Sequence, residues 1–105
     1  MGSYSAAIAK HATLVAATVD TVTLNVDATT GRADPAIVVE NRGTTDALYF
    51  TYSVNGTAPA APTVAGDDCY YVGPGTSISI DTMWGSDVIV KLISAGTPAY
   101  SVEAF

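Results

Sequence analysis

A chain of 105 residues holds one domain, long enough to bury a core without disulfide or metal staples. Its net charge is −6, and its four cations, Lys10, Arg32, Arg42 and Lys91, are spread along the chain. Nucleic acids and anionic membranes call for clustered cations, so neither is expected as a partner.

The opening stretch "MGSYSAAIAKHA" (1–12) is poor in large apolar residues, and 4–12 carries the only trace of helical spacing. Residues 1–20 read as an N-terminal arm with a lead-in strand, and 21–105 as the domain proper. "ATLVAATV" (12–19) is too short and too broken by threonine for a signal peptide. From there period-two alternation dominates, the mark of half-buried strands. "TVTLNVD" (21–27) sends Val22, Leu24 and Val26 to one face, and Gly31 and Pro35 then break the chain. "AIVVEN" (36–41) reads as a strand, "RGTTD" (42–46) as a hairpin loop, and "ALYFTYSV" (47–54) as a strand with Leu48, Phe50, Tyr52 and Val54 on one face.

Asn55-Gly56 then signals a turn, and Pro59 and Pro62 bar ladder pairing, so 55–67 reads as a long extended loop. "DCYYV" (68–72) is a short strand, "GPG" (73–75) a corner, and "TSISID" (76–81) a strand with Ile78 and Ile80 inward. "TMWGS" (82–86) is a loop carrying the only tryptophan. "DVIVKLIS" (87–94) alternates Val88, Val90 and Leu92, "AGTP" (95–98) turns the chain, and "AYSVEAF" (99–105) closes it. Seven or eight short strands separated by turn residues predict an all-β, antiparallel sandwich, immunoglobulin-like or jelly-roll-like.

Candidate chemistry is sparse. One cysteine, Cys69, allows no internal disulfide, which fits synthesis in a reducing compartment. Asp67 and Asp68 lack the alternating acids of a calcium loop and read as a turn. Cys69 with His11, a serine triad built on His11, and Glu40 with Glu103 have no partners at telling spacing. No catalytic residue, metal ligand or cofactor is assigned, and the chain is read as a non-enzyme. Tyr49, Tyr52, Tyr70, Tyr71, Tyr100 and Trp84 remain, as core residues, as anchors in a protein interface, or as a sugar-stacking platform.

Three stretches, "IVVENRGTTDALYFTYSVNG" (37–56), "PTVAGDDCYYVGPG" (62–75) and "VIVKLISAGTPAYSVE" (88–103), resemble a strand–hairpin–strand segment, its continuation and a closing hairpin in small β-sandwich virion proteins of tailed phages infecting actinobacteria. The resemblance runs from 37 to 103 and transfers no functional residue. It implies a capsid decoration (cement) protein, made in the host cytoplasm and carried on the virion. Its partners would be the major capsid protein and neighbouring copies of itself, in a trimer for example. The alternative is a minor tail or fibre module binding a host surface glycan; a bacterial adhesive module ranks below both. Low charge density and small side chains suit a surface that is buried at little desolvation cost. The expected contacts are Tyr4 and Ile8 in the arm, Pro59 and Pro62 in the stiffened loop, and Trp84.

Overall fold

The computed structural model describes residues 8–25, 36–54, 56–81 and 87–104. Eight strands follow one another: β1 (Ile8–Thr13), β2 (Asp20–Asn25), β3 (Ala36–Asn41), β4 (Leu48–Ser53), β5 (Tyr70–Val72), β6 (Ser77–Asp81), β7 (Asp87–Ile93) and β8 (Ala99–Ala104). They form two four-stranded antiparallel sheets, in the orders β1-β8-β3-β6 and β2-β7-β4-β5.

The pairing is nested. β1 pairs β8, β2 pairs β7, β3 pairs β6 and β4 pairs β5, as if one long hairpin had been rolled into two layers. That order is a jelly roll rather than the immunoglobulin arrangement. Only β4 and β5 are neighbours both in sequence and in a sheet. The 42–47 and 94–98 connections, expected from pattern to close hairpins, therefore cross between sheets. A short polar loop serves either geometry, and the long-range pairing of β3 with β8 and β4 with β7 decides which one forms.

Residues 8–13, read from pattern as part of an arm with helical spacing, form the edge strand β1 in register with β8, Ile8 opposite Ala104 and Thr13 opposite Ala99. Its alternation is weak because Ala9, Lys10, His11 and Thr13 are all exposed. The partner strand, not the local pattern, fixes its conformation.

The alternating residues meet between the sheets. Val22 and Leu24 of β2, Leu48 and Phe50 of β4, and Val88, Val90 and Leu92 of β7 face Ile37 and Val39 of β3, Ile80 of β6, and Tyr100, Val102 and Ala104 of β8. Tyr100 brings a hydroxyl into this core, where it donates to Asp20 Oδ2 at 2.5 Å and bridges β8 to β2 across the layers. Burial, reinforced by the hydrogen bond to Asp20 and by its charge, holds the Tyr100 hydroxyl well above the usual tyrosine range.

One end of the sandwich is tightly tied. Leu14 N donates to Pro98 O at 2.9 Å, Ala17 N to Ser94 O at 2.7 Å, and Ser94 Oγ to Ala47 O at 2.6 Å. Buried Asn41 is the hub: its Nδ2 donates to Asp46 O at 2.8 Å and Val72 O at 3.0 Å, while its Oδ1 accepts from Gly43 N at 2.9 Å. The loops approach so closely that a Cβ on Gly96 would lie 2.1 Å from Asp46 Oδ2. The opposite end carries the long 54–69 connection.

Candidate protein-binding edge

β5 is the edge strand of its sheet and only three residues long. Its register sets Tyr70 opposite Phe50 and Tyr71 opposite Tyr49, so the two tyrosines project from opposite faces of the strand. On the core side Tyr70 stacks on buried Phe50, with ring centroids 5.2 Å apart, and packs against Tyr52 at 5.5 Å. On the outer side Tyr71 meets Tyr49 edge-to-face at 5.7 Å. Each ring is fixed on one side and open on the other: Tyr70 is 49% exposed and Tyr71 59%. Such offset and edge-to-face pairs stabilise a ring while leaving a face for a partner.

The connection before β5 is shaped by side-chain hydrogen bonds. Ser53 and Thr51, both on the face of β4 opposite Phe50, donate to Thr57 O and to Ala60 O, the latter at 2.6 Å, so the chain returns across the outer face of the sheet. Pro62 is buried in it and Pro59 half-buried. Cys69 then clasps the next turn: Thr63 N donates to Cys69 Sγ at 3.3 Å, and the thiol faces Thr63 O at 3.6 Å. Within the turn Ala65 adopts a positive φ of 57°, a conformation that costs about 1 kcal/mol for a residue with a Cβ. The turn lifts Val64 into solvent, 39% exposed, and is followed by exposed Asp67 and Asp68. Val64, Asp67, Asp68, Tyr70 and Tyr71 thus lie within eight consecutive residues (64–71) at a sheet edge.

The residues expected at an interface fare differently. Ile8 opens β1, its backbone paired with Ala104 of the same chain. Pro62 is spent on internal packing, and Pro59 is half covered. Tyr4 and Trp84 lie outside the described residues. Pattern reading missed that four of the tyrosines divide into two held pairs on β4 and β5 while Tyr100 turns into the core. Alternation across "LYFTY" and "YYV" carried that signal, once the two strands were set side by side.

Among the described residues no cluster of three His, Cys, Asp or Glu is placed to hold a metal. The structure does join His11 to Ser101, with Nδ1 and Oγ 2.7 Å apart, and Glu40 stands opposite Ser101 on the other side. In that row the serine lies between the imidazole and the carboxylate, so the glutamate cannot orient the histidine as a triad requires. Ser101 is moreover only 1% exposed. The row is a cross-strand polar contact on the outer face of the sheet. Comparison with family models, with curated proteins and with solved structures finds no match to this chain.

Proposed function

We propose that this chain is a virion structural protein, a decoration subunit that attaches to the outer surface of a phage head by protein–protein contacts. The observation that carries the reading is the β5 edge, where two half-open tyrosines and Val64 stand on a rigid framework. Exposed aromatics held in place before binding are the usual anchors of protein interfaces, because little side-chain entropy remains to be lost. The composition supports it: 13% charged residues leave broad neutral faces that can be buried at low desolvation cost. The stretches resembling phage virion proteins fall on β3 to β5 and on β7 and β8. The jelly roll also suits the reading, being a fold of viral capsid proteins, although lectins and cupins use it too. A standard interface of about 1,600 Å² is within reach of one sheet edge, its leading loop and a neighbouring copy.

The test is sedimentation of the purified chain with heads stripped of their decoration. Saturable binding, weakened by Tyr71→Ala, supports the reading; no binding, and absence of the chain from purified virions, overturns it. A second reading, a tail or fibre module that binds a host glycan, is favoured by the 59% exposure of Tyr71, whose ring could stack on a sugar. Binding on a glycan array that is lost in Tyr71→Ala, without binding to heads, would select it.

A further inference from the structure

We propose that the open side of β5 takes up an extended, cationic segment of the partner as an added strand; the identity of that partner rests on the decoration reading. Among the described residues β5 has β4 on one side and no strand on the other. Backbone groups two residues apart in a strand point the same way. In β7, Asp87 O accepts from Gly56 N, just beyond β4, at 3.1 Å, and Ser94 O accepts from Ala17 N, on the β2 side, at 2.7 Å, so Asp87, Ile89, Lys91 and Ile93 turn their main chain to β4. Opposite them, the main chain of Ser53, Thr51 and Tyr49 faces β7 and that of Leu48 and Phe50 faces β5, where Val72 and Tyr70 pair with it; the N–H and C=O of Tyr71 therefore face outward, where they offer one donor and one acceptor to an incoming strand. Adding a strand at such an edge uses main-chain bonds for affinity and flanking side chains for selection. Here the flanking groups are Tyr70 and Tyr71, one on each face.

Charge selects the occupant. From Gly43 to Val90 the chain has no lysine or arginine, while Asp46, Asp67, Asp68, Asp81 and Asp87 fall in that stretch. Asp67 and Asp68 stand exposed directly before β5, next to aromatic faces that attract a guanidinium or ammonium group. A second copy of the chain is the competing occupant. Self-pairing would join two bodies of net charge −6 and gather two Asp67 and two Asp68 carboxylates along one short edge. An arginine- or lysine-bearing segment would instead find opposite charge there.

The probes are three capped peptides that alternate valine with arginine, with serine or with glutamate, titrated into the wild-type chain while amide exchange is followed residue by residue. The arginine peptide should slow exchange at Tyr71 by at least about tenfold, less so as salt is raised, and the glutamate peptide should not. Tyr71→Pro, which removes the outward donor at a position where an edge strand accepts proline, should abolish binding of the arginine peptide in calorimetric titration, whereas Tyr71→Ala, which keeps that donor, should only weaken it. Asp67→Asn with Asp68→Asn should flatten its salt dependence. No slowing at Tyr71, or equal slowing along β1, β2 and β6, overturns the proposal. So does Tyr71 protection in the peptide-free chain that rises with protein concentration, which would mark a second copy. The same variants on stripped heads separate the two ideas: wild-type chain that never binds heads refutes decoration, whereas full occupancy by folded Tyr71→Pro refutes the strand edge and leaves decoration standing.

Discussion

Removing the Asn41 side chain tests how the loop end of the sandwich is held. Asn41→Ala deletes two donated bonds, to Asp46 O and Val72 O, and one accepted from Gly43 N. A net hydrogen bond contributes about 1 kcal/mol, and a buried carbonyl left without a partner costs about 1–3 kcal/mol more. Asn41 and Val72 are almost wholly buried, so water cannot simply take the vacated place at Val72 O. The expected loss is about 3–5 kcal/mol, a large share of the roughly 5–15 kcal/mol that holds a domain of this size. With a urea m-value near 1.5 kcal/mol/M, the midpoint should fall by about 2–3 M. Asn41→Asp should be worse near neutral pH, since it aims carboxylate oxygens at two carbonyls. The measurement is equilibrium urea unfolding followed by circular dichroism. A midpoint shift below about 0.5 M for Asn41→Ala would mean that the loops hold one another without this hub.

Other consequences can be checked on the same purified chain. Phe50→Ala, which empties a wholly buried site between the sheets and removes the platform under Tyr70, should cost about 3–5 kcal/mol in the same urea assay. Because the Tyr100 hydroxyl is held above its unfolded value, its contribution is complete below pH of about 10; above that the unfolded chain ionises first, and stability falls by up to about 1.4 kcal/mol per pH unit. Tyr100→Phe should remove that part of the alkaline slope in thermal melts taken at rising pH, and an unchanged slope would contradict the assignment. Tyr71→Ala, which loses the edge-to-face pair with Tyr49 but little buried area, should cost no more than about 1.5 kcal/mol by thermal melting while reducing occupancy on heads. Deleting residues 2–11 removes most of β1 and bares the edge of β8, so the truncated chain should melt well below the full chain; an unchanged melt would show β1 to be dispensable.

Local pattern was enough to find seven of the strands. Each of β2 to β8 alternates or carries a compact apolar run between turn residues, and burial follows the alternation: Leu48 and Phe50 in, Tyr49 and Thr51 half-covered. β1 escaped because "IAKHAT" has no clear apolar face; its strand form comes from β8, ninety residues away at the His11–Ser101 contact. The choice between the jelly-roll and immunoglobulin orders stayed open for the same reason, since nothing within "NRGTTDA" says whether β3 and β4 pair or part. Asn41 looked like the polar end of a strand, and its buried bonds depend on loops thirty residues apart in sequence. The candidate edge was half visible. Its tyrosines stood out by composition, but which of them are held open to solvent follows from β5 lying at the border of its sheet.

Cryo-electron microscopy of stripped heads saturated with the purified chain tests the central claim most directly. The account predicts added density of sandwich shape on the outer surface of the shell, with the β5 edge and the 54–69 connection against the capsid protein. Heads without added density, or a chain found on the tail, would contradict it.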